Sequence, residues 1–178
     1  MADTLWVFGY GSLIWHPGFE PAERVLARAE GWHRSFCMLS VHYRGTSERP
    51  GLVLALDAAE AAACAGVAFA VRHGEEARVL EDLRARELIS SAYLEQTLPL
   101  QLADGRRVTA VTYVIDPAHA QYCGGLDLER QARMIAAAHG GRGPNAEYLF
   151  NTAEHLHALG IADPDIDWLA ERVRALRA

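Results

Sequence analysis

No apolar run in this chain of 178 residues approaches the roughly 18 residues that a membrane-spanning helix requires. No basic leader opens it either: Met1-Ala2-Asp3-Thr4 is acidic where a secretory signal is positively charged. Cysteine is sparse. Cys37, Cys64 and Cys123 are odd in number, widely spaced and without a C-x-x-C pair. They read as reduced, mostly buried thiols of a cytoplasmic protein, not as a disulfide framework. Positive charge is in the minority, with 17 Lys plus Arg against 23 Asp plus Glu and a net charge of −6. A nucleic-acid partner demands a basic face, and an anionic membrane surface attracts one, so neither partner is expected. Phosphate loops of the Gly-Lys-Ser type and Gly-x-Ser-x-Gly elbows are both missing. His155 and His157 stand two apart, where a helical metal pair needs four. No repeat, low-complexity tract or long linker divides the chain, and its length fits a single domain over residues 1–178.

What is present begins with Val7-Phe8-Gly9-Tyr10-Gly11-Ser12-Leu13. Leu5-Trp6-Val7-Phe8 reads as a buried strand. Gly9 and Gly11 then open backbone angles that other residues resist, and such a turn can aim several N–H groups at one anion. Two other readings compete. Gly-x-Gly is also a common strand exit. A dinucleotide fingerprint would need a third glycine where Ile14 stands, and Trp15-His16-Pro17-Gly18 blocks the helix that should follow.

The first part of the chain reads mainly as strands over 5–9, 25–30, 33–41, 52–56 and 66–72, punctuated at Gly31, Gly45, Pro50-Gly51 and Gly74. A helix is predicted over 75–88. Strands over 93–102 and 107–115 are joined by the hairpin signal Asp104-Gly105, with Pro99 suggesting an edge position. The last third reads as helices: one capped by Asp127, one capped by Asn145 and ending at Gly160, and one opened by Asp163-Pro164 with Ile166, Leu169, Val173 and Leu176 as its seam. Strands first and helices last indicate α+β, with a mixed or antiparallel sheet.

The helix over 75–88 carries a carboxylate in an unusual place. With Leu80 at zero, Val79, Leu83, Ala77 and Leu88 fall within about 100° on either side, and Glu87 lies about 20° from Leu80, in the middle of that apolar arc. Burial raises a carboxyl pKa toward the range useful for acid–base work. Against this stand two structural alternatives. Glu87 would be solvated if the helix ended before it, or it would be the buried ion-pair partner of Arg84 or Arg86. Tyr93, Tyr113, Tyr122 and Tyr148 each offer a hydroxyl to a pocket, although most tyrosines simply fill half-buried positions. Ser12 has no nearby base except His16, across a proline turn.

Together these segments resemble the ChaC family of γ-glutamylcyclotransferases, which cleave glutathione. The resemblance runs through Val7-Phe8-Gly9-Tyr10-Gly11-Ser12-Leu13-Ile14-Trp15, Tyr43-Arg44-Gly45-Thr46, Pro50-Gly51-Leu52-Val53-Leu54-Ala55-Leu56, Arg86-Glu87-Leu88 and Gly143-Pro144-Asn145 with Tyr148-Leu149. It implies a small mixed β-barrel flanked by helices, with no metal or cofactor. It also implies that Tyr10, Gly11, Ser12 and Leu13 hold the γ-glutamyl group, that Glu87 is the catalytic acid/base, and that Tyr93 and Tyr122 are substrate contacts. Arg44 is a candidate for the distal glycine carboxylate of glutathione, weighed against an exposed loop arginine. One departure is Ile89-Ser90-Ser91-Ala92, where the family often has glycines. A monomer or weak dimer is expected. The alternatives are a cyclotransferase for other γ-glutamyl amines or amino acids, a non-catalytic γ-glutamyl-binding protein, and a Ser12 hydrolase that would release free glutamate.

Overall fold

The computed structural model describes residues 3–89 and 91–178; Met1 and Ala2, part of the acidic start, and Ser90, part of the departure after Glu87, lie outside the described residues. The chain resolves into two compact units, each built from two stretches: Met1–Arg34 with Leu56–His119, and Ser35–Ala55 with Ala120–Ala178. In order along the chain come β1 (Trp6–Gly9), a 3-10 turn (Ser12–Ile14), β2 (Glu23–Ser40), β3 (Gly51–Ala70), α1 (Glu76–Glu87), β4 (Tyr93–Leu102) and β5 (Arg107–Ile115). After them come α2 (Leu128–Ala137), β6 (His139–Gly140), β7 (Gly143–Pro144), α3 (Asn145–Ala158) and α4 (Pro164–Arg177).

Five strands close into a mixed barrel in the order β1-β3-β2-β4-β5, which bears out the α+β class and the mixed sheet. β1 runs antiparallel to β3, with Trp6 opposite Ala70, and parallel to β5, with Trp6 opposite Ala110. Paired on both sides, it is buried at every position, which explains its unbroken apolar sequence. The first unit's core gathers Trp6, Phe8, Tyr10, Leu56, Leu98, Leu100 and Leu102. Along β4 the inward leucines alternate with outward residues, while Leu94 at the strand's start stays 42% exposed. The Asp104-Gly105 turn forms as read: Gly105 takes a φ of 94°, and the Asp104 carboxylate accepts the Arg106 N–H at 3.1 Å. A closed barrel leaves no free edge for Pro99; β2 pairs β4 at Ala27↔Leu102 and Arg28↔Gln101, short of the proline.

Two strands are far longer than the sequence suggests. Gly31, at φ 85°, reads as a break but lies within the 18 residues of β2. In the 20 residues of β3, an alanine-rich middle joins what read as two strands. Alanine has no strand preference of its own; sheet pairing overrides propensity here.

In the second unit, Asp127 accepts the Arg130 N–H at 2.8 Å and Asp163 accepts the Ile166 N–H at 3.2 Å, so both acidic caps form as predicted. Ile166, Leu169 and Val173 of α4 are buried, and Arg172 of α4 grips Glu129 of α2 with bonds of 2.7 and 2.9 Å. Asn145 is not a cap. It is the first residue of α3, and Pro144 takes the cap position. Its amide, fully buried, accepts the Leu52 N–H at 2.8 Å and donates to the Leu52 carbonyl at 2.9 Å. His139 lies exposed in β6, because α2 stops at Ala137. Among the described residues, no helix is long and apolar enough to cross a membrane.

Asn145→Ala strips two buried backbone groups of their partners, each costing about 1–3 kcal/mol. Denaturant unfolding of this variant should show a stability loss of about 2–5 kcal/mol, while substitution of exposed Asn151 leaves stability within about 0.5 kcal/mol.

Candidate active site

At the end of β1 the chain turns tightly, and Gly9 serves space more than angle. Among the described residues positive φ occurs at seven glycines, but neither Gly9 nor Gly11 is among them. A Cβ on Gly9 would lie 3.1 Å from Leu13 Cβ and 3.2 Å from the Phe69 ring, and one on Gly66 would lie 2.3 Å from the Gly9 carbonyl oxygen. The Ile14 N–H donates to the Gly11 carbonyl and the His16 N–H to the Ser12 carbonyl, both at 2.9 Å. The N–H groups of Ser12 and Leu13 lead this turn, where a helix start supplies no internal acceptor.

Tyr10 anchors the turn. Its hydroxyl donates to the Tyr113 carbonyl at 2.7 Å, and its own carbonyl accepts Arg34 Nε at 2.7 Å. Arg34 is 4% exposed and also donates to the Ala65 carbonyl. Leu13 is buried and Ser12 half-buried.

Helix α1 brings Glu87 to the same unit. Its inward stripe is the buried Val79 and Leu83 and then the half-buried Glu87, each one turn of helix beyond the last; Ala77 and Leu88, placed on the apolar arc from the sequence, are exposed. The inward aim of Glu87 therefore holds, on a narrower stripe. The Glu87 side chain is 18% exposed, with Oε1 3.3 Å from Arg86 Nε. Burial pushes its pKa above the ordinary 4.5, and the Arg86 guanidinium pulls against that rise. Arg86 also donates from Nη2 to Ser12 Oγ at 3.1 Å and from Nη1 to the His16 carbonyl. Arg84, the other expected partner, instead grips Glu95 at 2.9 and 3.0 Å. Glu95 accepts the Tyr113 hydroxyl at 2.9 Å. Burial and that bond hold the Tyr113 phenol well above its ordinary range, with smaller contributions including the Glu87 charge.

Turn, Glu87, Arg86 and Tyr113 thus belong to one unit. Tyr93, at the start of β4 opposite Ile115, is half-buried in that unit. Arg44 and Tyr122 belong to the other. Arg44 Nη1 donates to the Arg142 and Pro144 carbonyls at 3.1 and 3.2 Å. Tyr122 bridges Met38, and its hydroxyl occupies the space that a Cβ on Gly124 would need. The roles of Arg34 and Glu95 are new here, and Tyr113, read as one of four candidate hydroxyls, turns out to serve Glu95; these partners are 11 to 24 residues distant in sequence, beyond any local pattern.

A closed mixed barrel, with a largely buried carboxylate in the same unit as the strand-exit turn, defines the class: a small α+β protein. A profile of the family described as ChaC-like protein matches residues 5–176. The Escherichia coli (strain K12) protein named glutathione-specific gamma-glutamylcyclotransferase is 38% identical over 174 residues, 98% of this chain and 74% of its own. The Arabidopsis thaliana gamma-glutamylcyclotransferase 2-3 is 34% identical over 177 residues, 96% of this chain and 89% of its own. The fold matches a yeast crystal structure described as a gamma-glutamyl cyclotransferase specific to glutathione, with TM-score 0.85 at 23% identity over 99% of this chain and 98% of that one. The chain belongs to the ChaC-like family.

A carboxyl whose folded-state pKa lies above its unfolded value weakens the fold as pH rises through that interval. Glu87→Gln should therefore be more stable than the parent at pH 7 to 8. Its advantage should vanish once pH falls below the ordinary carboxyl value of 4.5, as read by thermal melts across pH.

Proposed function

We propose that this chain is a cytoplasmic γ-glutamylcyclotransferase that acts on glutathione as a single domain, with Glu87 as its acid/base. The observation that carries the reading is the desolvated Glu87 carboxylate, with its raised pKa, held in one unit with the Tyr10-Gly11-Ser12-Leu13 turn. The names of the E. coli and Arabidopsis relatives support the activity, and the first of them supports the substrate.

The chemistry needs little machinery. The substrate's α-amine attacks its own γ-carbonyl carbon, a C–N bond closes the five-membered 5-oxoproline ring, and the original amide C–N bond breaks to release Cys-Gly. No external nucleophile takes part. The protein must hold amine and carbonyl together, and such positioning supplies several kcal/mol. In this proposal the N–H groups of the turn take the α-carboxylate, so the head group cannot rotate out of the reactive pose. Glu87, ionised, accepts a proton from the ammonium and returns it to the departing nitrogen. Its raised pKa brings the two transfers closer to balance near neutral pH. Ser12 Oγ receives an N–H from Arg86, a group that cannot act as a base, which weighs against a Ser12 hydrolase.

Purified protein supplied with reduced glutathione should yield 5-oxoproline and Cys-Gly together, and Glu87→Gln should lose at least about 10²-fold in kcat. Turnover of γ-glutamyl-alanine without turnover of glutathione would move the substrate and keep the activity. No turnover of either would leave a binding protein. Tyr93, Tyr122 and Arg44 enter as substrate contacts one at a time; an Arg44→Ala variant with unchanged KM for glutathione removes Arg44 from the proposal.

A further inference from the structure

We propose that Arg86 is a positioning residue whose single guanidinium ties the strand-exit turn to the Glu87 carboxylate and so orders both, an inference that rests on the cyclotransferase reading. Side chains at successive helix positions diverge by about 100°, so nothing in the spacing obliges Arg86 to serve its neighbour. It does so by reaching over it: Nε lies 3.3 Å from Glu87 Oε1, Nη2 donates to Ser12 Oγ at 3.1 Å and Nη1 donates to the His16 carbonyl. The planar guanidinium holds these three donors at fixed mutual angles, which a lysine ammonium on its flexible stem does not reproduce.

Two consequences follow at the atoms concerned. Ser12 Oγ, accepting from Arg86, keeps its own O–H proton free to donate elsewhere, so the hydroxyl becomes a donor suited to an anionic head group. Glu87 is set between burial, which favours its neutral form, and the Arg86 cation, which favours the carboxylate. Tyr113 of β5 also senses Glu87. It is bonded to Glu95 of β4, which Arg84 of α1 holds. Arg84 is thus committed to Glu95, and among the described residues Arg86 is the cation that opposes the burial of Glu87.

The test compares Arg86→Gln, Arg86→Lys and Ser12→Ala with the parent by two readouts. One is the Glu87 titration midpoint from carboxyl-carbon NMR, assigned with Glu87→Gln. The other is the pH profile of kcat/KM for glutathione. Arg86→Gln should raise the midpoint, move the acid limb of the profile upward with it, and raise KM. Arg86→Lys should return midpoint and acid limb toward the parent while KM stays high. Ser12→Ala should raise KM and leave the midpoint in place. An Arg86→Gln protein that is folded by circular dichroism yet keeps the parent midpoint overturns the proposal. So does an Arg86→Lys protein whose midpoint matches that of Arg86→Gln. If the parent turns over no γ-glutamyl compound, the functional reading fails, while the midpoints still decide whether Arg86 governs Glu87.

Discussion

Everything at the candidate site depends on the pairing of a four-residue strand. β1 is held by β3 on one side and by β5 on the other, and this double pairing closes the barrel. It also fixes where the backbone leaves the sheet. Because Gly9 packs against Leu13 and Phe69, and Gly66 against the Gly9 carbonyl, the turn beyond β1 has almost no room to relax. Tyr10 and the buried Arg34 then pin its first carbonyl and its first side chain.

Onto this fixed turn α1 delivers a charge. The helix is short and mostly polar; Val79 and Leu83 are its buried residues. Those two residues orient it, and the next inward position one turn later is Glu87. The unfavourable burial of a carboxylate is thus the direct result of favourable burial of two aliphatic side chains on the same stripe. The same unit satisfies its other polar groups: Arg84 meets Glu95, Glu95 meets Tyr113, and Thr112 Oγ1 donates to the Phe8 carbonyl. Glu87 stands out because its neighbours compensate it less than its burial demands.

The sequence was most legible where signals are local. The Asp104-Gly105 hairpin, the caps at Asp127 and Asp163, the α4 seam and the inward aim of Glu87 each rest on residues within a few positions of one another, and all appear in the structure. Errors arose where distant chain segments decide. Gly31 and the alanines of β3 read as interruptions because their pairing partners are remote. Asn145 resembles a cap at the right place, yet its amide is taken by Leu52, 93 residues away. Gly9 was read as conformational, and the decisive fact, the approach of Phe69 and Gly66, is invisible in the local sequence. Arg86 was visible as a partner of Glu87; its hold on Ser12, 74 residues distant, was not.

Each compact unit is assembled from two separated stretches, with β2 and β3 passing from one unit into the other. Neither unit can be cut out as a continuous fragment. β1 must wait for Ala110 and Val111 of β5 before its second flank is paired, so roughly two thirds of the chain must leave the ribosome before the barrel can close. Contacts of such long sequence separation make folding slow relative to helical proteins of equal size. During synthesis the apolar β1 segment is exposed without its full set of partners, and that is the interval in which this chain is most open to aggregation and to capture by chaperones.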